Sequence, residues 1–455
     1  MPLLCNRHSA KGLAIGNLPV LRYNAHQVTS IPLNALDRLF LAQEYPGVSL
    51  AGHVFIELER PLEKEALLQA IRDIGAARPE LGCRIATGWF YPKRVRVSGW
   101  PDANTVLQWQ AAIFNPVDPD LDRPFRLETE PGFRLTHGPC ENGGAVIVLS
   151  AHHALMDGVG QLTLLKQILS AYSARLTGKT YFPAAPEPVR LRKLFLKRFG
   201  FFGTLKRALL GFSPIKPFRE KNASLLETDF GGPSPIRSRL VTLTPEQEKC
   251  IKDFGRHRRI TRHTVILTAL LRACDRWQTE NGRKDRHYRV MHPVNARHTL
   301  GVHPEQLQNF VGSIESRFDP KEIRSEKFPE IIGRHMGMLK DPDRLLANIF
   351  HLTFLATLLP IRWLNRELEK FDLNPKNFYY SLLFTHLASP DWPEIPQNSV
   401  RSFWGRGSLT RQPGIGVALA TGRGTRLCFY AHSKSFSERG LDRIVSLFTE
   451  SLGQF

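Results

Sequence analysis

The order of apolar and polar residues predicts alternating strands and helices in the first half of the chain. Apolar and polar residues alternate over 53–59, which is typical of a half-buried strand. Residues 62–77 carry apolar side chains at helical spacing. The run 145–150 is apolar except for the serine at its end, which is expected of a strand buried on both faces. Helical spacing returns over 159–176, so a buried strand, a tight turn and a helix follow one another.

The second half of the chain repeats this mixture of elements. Its patterns predict strands over 236–243, 288–294, 309–318, 379–386, 400–408, 414–421 and 425–432. They predict helices over 245–257 and 264–278, further helices between 325 and 370, and a last helix after the N-cap residue Ser437. The two halves therefore suit two related α/β lobes, 1–180 and 236–455, joined by a basic, apolar connection over 181–235.

Composition narrows the class of protein and charge indicates the kind of partner. The 455 residues are 42% apolar and 23% charged, which excludes a mostly disordered chain, a collagen-like chain and a small disulfide scaffold. The formal net charge of +20 is unusual and implies an anionic partner. Nucleic acid, a membrane surface and a phosphate-bearing small molecule all fit this charge.

The cysteines and the apolar segments indicate a cytoplasmic protein. None of the six cysteines forms a Cys-x-x-Cys pair, and no secretory signal pattern opens the chain, so we expect free thiols in a reducing compartment. The most apolar window, 345–364, is interrupted by His351, Pro360 and Arg362 and is too short to span a bilayer. A buried helix and a helix that faces lipid or an apolar tunnel are both compatible with it.

Residues 150–158 read Ser-Ala-His-His-Ala-Leu-Met-Asp-Gly and carry the main chemical motif. His152 and His153 follow the buried strand, and histidine is the side chain best suited to move a proton near neutral pH. Asp157 can fix the turn, and Gly158 permits backbone conformations that other residues resist. On these residues alone, structural histidines, two metal ligands without an identified third, and a simple helix cap at Asp157 remain alternatives.

The segment 152–158 resembles the His-His-x-x-x-Asp-Gly motif of the CoA-dependent acyltransferase superfamily. This superfamily includes chloramphenicol acetyltransferase, alcohol acetyltransferases, wax ester synthase/diacylglycerol acyltransferases and peptide-synthetase condensation domains. Residues 32–37 resemble the opening segment of the wax synthase and condensation branches. Residues 292–297 are similar to a Pro-Val-x-x-Arg element, and 308–309 to a Gly-Asn element that here lacks its glycine. The resemblance extends over about residues 30–455.

The resemblance implies two chloramphenicol-acetyltransferase-like lobes, each a mixed sheet with helices, and an active-site tunnel between them. His153 would be the general base near the centre of this tunnel. Asp157 would pair with Arg297 and hold the turn that orients His153, while His152 and Gly158 would have structural places at the site.

The resemblance also suggests candidates for the oxyanion contact or the tunnel wall. Thr385 stands where many members have a serine, and Asn309 belongs to the Gly-Asn-like element. An ordinary strand residue with a satisfied hydroxyl is an equally good interpretation of Thr385. We expect no metal and no bound cofactor, since the acyl-CoA or acyl-phosphopantetheine substrate is already an activated thioester.

The connection between the halves is strongly basic. Residues 190–221 contain ten basic residues and one acidic residue, interleaved with leucines and phenylalanines. The candidates for a membrane or donor surface are Arg190, Arg192, Lys193, Lys197, Arg198, Lys206 and Arg207. Such a segment is typical of an anionic membrane surface, but also of packing against the second lobe and of single-stranded nucleic-acid binding. A positive surface would likewise suit the mouth of a channel for a phosphate-bearing donor.

The sequence therefore predicts an O-acyltransferase that uses an acyl thioester donor and an alcohol or lipid acceptor. A freestanding condensation-type enzyme that uses an acyl carrier protein and forms an amide or ester is the nearest alternative. A non-catalytic binding protein that keeps the fold is an alternative of another class. We expect no nucleic-acid partner, and a cytoplasmic protein for which peripheral contact with the inner membrane face stays open.

Overall fold

The strands and helices follow the predicted order closely. The computed structural model describes residues 30–31, 33–45, 49–86, 88, 91–97, 102–116, 119–211, 223–227, 234–283, 286–339, 341–373, 380–409 and 413–455. The strands are β1 (Ser30–Ile31), β2 (Ala51–Leu58), β3 (Cys83–Ala86), β4 (Lys93–Arg96), β5 (Leu107–Trp109), β6 (Phe133–Pro139), β7 (Ala145–His152), β8 (Ile236–Thr242), β9 (Tyr288–Asn295), β10 (Val311–Phe318), β11 (Tyr380–Ala388), β12 (Val400–Arg406), β13 (Pro413–Gly422) and β14 (Gly424–His432). The α-helices are α1 (Ala35–Ala42), α2 (Lys64–Ala77), α3 (Ala103–Val106), α4 (Gly158–Leu176), α5 (Leu191–Gly211), α6 (Pro245–Arg258), α7 (Arg262–Glu280), α8 (Arg297–Leu300), α9 (Pro320–Ile323), α10 (Phe328–Leu339), α11 (Pro342–Leu358), α12 (Ile361–Leu373) and α13 (Glu438–Leu452).

Two large mixed sheets and one small sheet organise these elements. The first large sheet has the order β12-β2-β7-β6-β5, and only β5 and β6 are parallel neighbours. The second has the order β10-β9-β11-β13-β14-β8, and its central strands β9, β11 and β13 run parallel. The small sheet has the order β1-β4-β3. The predicted α/β fold with two lobes is confirmed.

The strand that precedes the motif lies at the centre of the first sheet. All eight residues of β7 are buried between β2 and β6, which explains the near-continuous apolar run of its sequence. Asp157 then caps α4, because its side chain accepts a hydrogen bond from the Gly160 N–H at 2.9 Å. The helices α2 and α4 pack on the first sheet, and α7 and α13 cover the second.

One strand connects the two lobes in a way that the local pattern does not reveal. The strand β12 comes late in the chain, yet it pairs with β2 of the first sheet and places Arg406 opposite His53. The second half of the chain therefore completes the sheet that carries the motif. The division into segments 1–180, 181–235 and 236–455 stays a prediction. Residues 400–406 lie in the predicted second lobe, but they belong to the sheet of the first.

The basic connection forms the broken helix α5. Gly200 has a φ of 64°, a left-handed conformation that favours glycine, and it separates two helical segments. Leu191 and Phe195 of the first segment are buried against the second lobe, whereas Phe201 and Phe202 of the second segment are exposed. Residues 212–222 lie outside the described residues, so the rest of the predicted basic segment has no structural account.

The apolar window 345–364 is divided between α11 and α12, which meet at Pro360. Leu345, Leu346 and Ile349 are buried, as expected of a packed helix. None of the helices in the described part of the chain has the length and apolar character needed to cross a bilayer.

Candidate functional site

A cavity of about 420 Å³ lies where the two large sheets face each other, and we call it the seam cavity. One wall comes from α1, the end of β2 and the turn after β7. The opposite wall comes from β9, along which Met291, Pro293 and Asn295 alternate toward the space, and from β11, which contributes among others Leu383 and Thr385. This alternation follows from the two-residue period of a strand.

His153 lies in the turn directly after β7 and lines the seam cavity. Its backbone N–H donates to the Leu50 carbonyl at 2.9 Å, and its ring stacks on Phe40 with centroids 4.7 Å apart. Burial lowers the pKa of His153 from 6.5 to about 4, although the charge of Asp157 acts in the opposite direction. The imidazole is therefore neutral at pH 7 and can accept a proton.

The neighbouring histidine has a different environment. His152 is buried, and its Nδ1 accepts a hydrogen bond from the Ala154 N–H at 2.9 Å. The ring proton must then lie on Nε2, which is 3.5 Å from a carboxylate oxygen of Glu44. His152 thus fastens the turn, while His153 faces the cavity.

Asp157 and Arg297 form a buried bidentate pair, the pair that the resemblance implies. The two oxygens of Asp157 accept hydrogen bonds of 2.9 and 3.0 Å from the two terminal nitrogens of Arg297. Asp157 also accepts from the Phe310 N–H at 2.9 Å, and the arginine donates to the carbonyls of Gln306 and Gln308. Because Arg297 is only 2% exposed, these partners replace water around a buried charge.

A second buried carboxylate–arginine pair holds the same turn, and the sequence interpretation did not find it. Arg94 of β4 donates to Asp37 at 3.1 Å and to the carbonyls of Ala154 and Leu155 at 2.8 and 3.1 Å. Burial raises the pKa of Asp37 to about 6, against the opposing effect of Arg94. Asn34 and Asp37 form a capping box at α1, and this part was readable from the sequence.

Asn309 is a positioning residue in this geometry. Its side-chain amide donates to Asp37 at 2.7 Å and to the carbonyl of His153, so both amide protons are committed. Asn309 is fully buried and is not among the residues that line the seam cavity. These contacts favour a role for Asn309 in positioning His153. They do not favour the predicted role in the oxyanion contact or the tunnel wall.

Two other predicted residues do line the seam cavity. Thr385 is half-buried on β11. Gly158 is the first residue of α4, and a Cβ atom there would lie 3.2 Å from a methyl group of Leu387. A side chain at Gly158 would therefore narrow the cavity.

A third charge pair, between the buried Arg406 and the partly buried Asp122, lies beside β2. Asp122 accepts a hydrogen bond from Arg406 of β12 at 2.7 Å and lies 3.2 Å from Nε2 of His53. The other ring nitrogen of His53 is 2.8 Å from the Ser150 hydroxyl. Burial lowers the pKa of His53 to about 4, and both of its nitrogens are engaged. Since the cluster depends on the strand exchange of β12, the sequence offered no signal for it.

Tyr430 of β14 brings another polar group to the seam cavity. Its hydroxyl is buried and lies against the backbone of Gly407. Burial raises the pKa of Tyr430 far above its usual range, so the hydroxyl keeps its proton. The ring occupies space beside Gly416, where a Cβ atom would approach it to 2.3 Å.

The predicted basic residues lie on α5 or, for Arg190, directly before it, and none of those whose side chains are described lines the seam cavity. Five of them are exposed: Arg190, Arg192, Lys193, Lys197 and Lys206. Arg198 is exposed too and donates to the carbonyl of Thr299 in the second lobe. The side chain of Arg207 lies outside the described residues. Within the described ranges, no cluster of three or more histidine, cysteine, aspartate or glutamate side chains could hold a metal ion.

Comparisons with known proteins relate this geometry to a fold family. No protein-family model matches the chain. The phthiocerol/phthiodiolone dimycocerosyl transferase of Mycobacterium tuberculosis is 25% identical over 181 residues, which are 38% of this chain and 41% of that protein. The chain thus matches about two fifths of the length of this curated relative.

Two solved structures superpose over nearly the whole chain. The trichothecene 15-O-acetyltransferase of Fusarium sporotrichioides has a TM-score of 0.69 at 13% identity, covering 93% of this chain and 94% of its own. The chain therefore has the fold of this acetyltransferase. The first condensation domain of the calcium-dependent antibiotic synthetase, in complex with a substrate analogue, has a TM-score of 0.66 at 17% identity, covering 93% and 95%. These superpositions confirm the fold that the motif resemblance implies.

Proposed function

We propose that the protein transfers an acyl group from a thioester to a hydroxyl, with His153 as the general base. The observation that carries the proposal is a neutral imidazole held in an apolar cavity between the two lobes. The dimycocerosyl transferase relative and the acetyltransferase fold neighbour support acyl transfer as the reaction class.

The chemistry needs one proton transfer in each direction. His153 takes the proton of the acceptor hydroxyl while the oxygen attacks the thioester carbonyl, so that a C–O bond forms and the carbonyl electrons move to oxygen. When the tetrahedral intermediate collapses, the C–S bond breaks and the imidazolium returns the proton to the leaving thiolate. General base catalysis of this kind contributes about 10²–10⁴-fold. The reaction as proposed needs no resident cofactor, because CoA or phosphopantetheine belongs to the substrate.

The three polar anchors of the turn fix where this base lies. Asp157 and Arg297 hold its end, Arg94 holds the carbonyls of the two residues after His153, and Asn309 holds the carbonyl of His153 itself. A base fixed in this way loses little conformational freedom when both substrates are bound. Thr385 and Tyr430, both on the cavity wall, are candidates to donate a hydrogen bond to the developing oxyanion.

The substrate classes follow from the cavity wall and the surface charge. Most of the surface of the seam cavity is apolar, which suits an alcohol or lipid acceptor and an acyl chain. The net charge of +20 suits a donor with phosphates, either acyl-CoA or acyl-phosphopantetheine on an acidic carrier protein. The same charge supports a peripheral position at an anionic membrane face of the cytoplasm as part of this proposal.

A condensation-type reaction is the second candidate function. It is supported by the superposition on the condensation domain, which covers nearly the whole of both chains. In that case the donor would be bound to a carrier protein, and the acceptor would be an amine or a hydroxyl.

A matrix of donors and acceptors tests the reaction class. The full chain is incubated with acyl-CoA or acyl-carrier donors of several chain lengths against alcohols, diacylglycerol and amines, and ester or amide is detected by mass spectrometry. We expect ester from at least one donor with an alcohol or diacylglycerol. Amide formation alone would establish the condensation-type reaction, and no turnover with any pair would overturn the catalytic proposal.

A further inference from the structure

A second and larger cavity lies on the other side of α1, and we call it the α5 groove. Its volume is about 850 Å³, and its walls come from α1, β4, α5 and α11. Most of its surface is apolar. The apolar residues of the wall include Leu33, Leu191, Phe195, Leu196, Phe350 and Leu358. A space of this size and character can hold an alkyl chain of many carbons.

The charges of the α5 groove all have one sign. Four cationic side chains belong to its wall, namely Arg38, Lys93, Arg190 and Arg192, and none of its described lining residues is acidic. Lys93, Arg190 and Arg192 are exposed and lie at the rim. The groove therefore combines an apolar interior with a cationic edge, which is complementary to an anionic amphiphile.

Arg38 places a cation in the wall itself. It is only 5% exposed, and it donates to the carbonyls of Thr357 and Leu359 at the end of α11. Its guanidinium lies 4.5 Å from the ring centre of Tyr91, and its Nε is buried without a hydrogen-bond partner in the described residues. Since the partners of Arg38 among the described residues are neutral, an anion that comes close would stabilise this buried cation.

The mouth of the groove carries exposed aromatic and aliphatic side chains. Phe201 is 67% exposed and lines the groove, and Phe202 beside it is 83% exposed. Leu205 and Leu358 are exposed at the same mouth. The left-handed break at Gly200 separates this segment from the packed half of α5. Exposed phenylalanines next to arginines and lysines are typical of a helix that lies in the headgroup region of a bilayer.

We propose that the α5 groove is a binding site for an anionic membrane phospholipid. One acyl chain of the lipid would enter the apolar interior, its phosphate would meet Arg190, Arg192 and Lys93 at the rim, and Phe201 and Phe202 would insert beside it. This site goes beyond the proposed function, because binding of this lipid does not require acyl transfer. The charge complementarity and the exposed mouth favour a membrane lipid over nucleic acid, which would leave the apolar interior unfilled.

Vesicle sedimentation with a charge-matched control tests the cationic rim. The full chain is sedimented with vesicles of phosphatidylglycerol and phosphatidylcholine, and with phosphatidylcholine alone. The variant Arg190→Glu/Arg192→Glu is compared with Lys249→Glu/Lys252→Glu, which makes the same charge change at exposed positions of α6. At about 1 kcal/mol for each basic residue, we expect at least a tenfold weaker binding for the groove variant. We expect less than about a twofold change for the control. Equal losses in both variants, or equal binding to both vesicles, would overturn the proposal.

A second pair of variants tests the apolar mouth. Phe201→Ser is compared with Phe182→Ser, since Phe182 is also highly exposed but does not line the groove. Because a buried phenylalanine contributes about 1.5–3 kcal/mol, we expect roughly a tenfold or larger loss of vesicle affinity for the first variant alone. Equal affinities for the two variants would overturn insertion at the mouth.

Competition distinguishes the lipid from other anions. Inorganic phosphate and a single-stranded oligonucleotide are added at the same charge concentration as the vesicles. We expect neither to displace the protein completely, and full displacement would assign the rim to free phosphate or to nucleic acid. Acyl transfer to a soluble short-chain alcohol is measured in Phe201→Ser and should stay unchanged. A loss of lipid binding with intact transfer would therefore leave the proposed function in place.

Discussion

The two cavities on either side of α1 differ in how their charges are balanced. Around the seam cavity, three carboxylates of the described residues each meet an arginine: the buried Asp157 with Arg297, the buried Asp37 with Arg94, and the partly buried Asp122 with Arg406. Around the α5 groove, four cations have no acidic residue beside them in the described wall. Balanced charges stabilise the walls around the His153 imidazole, whereas unbalanced charges favour a partner that brings the missing anion.

A single short helix separates these two environments. Leu36, Leu39 and Phe40 of α1 line the seam cavity, while Ala35 and Arg38 line the α5 groove. Residues three and four apart share one face of a helix, so two turns suffice to present two different surfaces. The capping box at the start of α1 thus stabilises a helix that forms part of the wall of both cavities.

The largest effect is expected when the balance of the seam cavity is broken. Asp157→Asn removes the negative charge that faces Arg297 and leaves a buried arginine without its counter-charge. Breaking such a pair typically costs about 3–5 kcal/mol, which urea denaturation can measure as a lower free energy of unfolding.

An exposed ion pair supplies the matched control for this loss. Asp442 pairs with Arg239 but is more than half exposed, so Asp442→Asn should change the free energy of unfolding by about 0–1 kcal/mol. Losses of the same size in both variants would show that the buried pair stabilises the fold no more than the exposed pair does.

A smaller effect is expected at the opposite wall of the seam cavity. If the hydroxyl of Thr385 donates to the oxyanion, Thr385→Val should lower kcat by about 10²-fold, because one such donor is worth that much. Thr204→Val is the control, since Thr204 lines the α5 groove and bonds to the carbonyl of Gly200. If Thr385→Val keeps the kcat of the wild type, Thr385 is an ordinary strand residue and does not donate to the oxyanion.

The smallest effect concerns the pH dependence of the base. Below its pKa His153 is protonated and cannot accept a proton, so kcat/KM should fall on the acid side with a pKa of about 4. Phe40→Ala admits water to the ring, stabilises the imidazolium and moves this pKa toward 6.5. At about pH 5 the neutral fraction would drop from about 0.9 to about 0.03, a loss of roughly 30-fold.

The control for the pH profile lies at the groove. Phe201→Ala changes an exposed phenylalanine outside the seam cavity and should leave the acid limb in place. An acid limb that is the same in Phe40→Ala and the wild type would show that stacking on Phe40 does not keep water from the base.

Much of the fold was predictable because helices and strands each impose their own spacing of apolar residues on the local sequence. The buried strand β7, the turn with His153 and the start of α4 at Asp157 all follow the predicted order. Arg297 lies 140 positions from Asp157, and the motif resemblance, not the local pattern, linked the two. Their contact shows how family motifs can mark residues that meet across the fold.

The remaining features depend on contacts between distant parts of the chain. The pattern predicts a strand over 400–408, but it does not say that β12 joins β2 and brings Arg406 to Asp122. In the sequence nothing distinguishes Arg94 from the other basic residues. Its contact with Asp37 depends on the position of β4 in the fold. Strand register decides which face a side chain takes, and register is set by tertiary packing. Gly200 stood among phenylalanines, and only the backbone angle shows that it ends the packed part of α5.

The central claim is that His153 accepts the proton of the acceptor. It is tested most directly by measuring ester formation and thiol release in parallel for the wild type, His153→Ala and His257→Ala, with thermal unfolding as a check on folding. His257 is exposed on α6 and serves as the histidine control. We predict one thiol per ester in the wild type and in His257→Ala, and at least about a 10²-fold lower rate in His153→Ala with unchanged thermal unfolding. A rate for His153→Ala within about threefold of the wild type would contradict the account, because general base catalysis is worth far more than that.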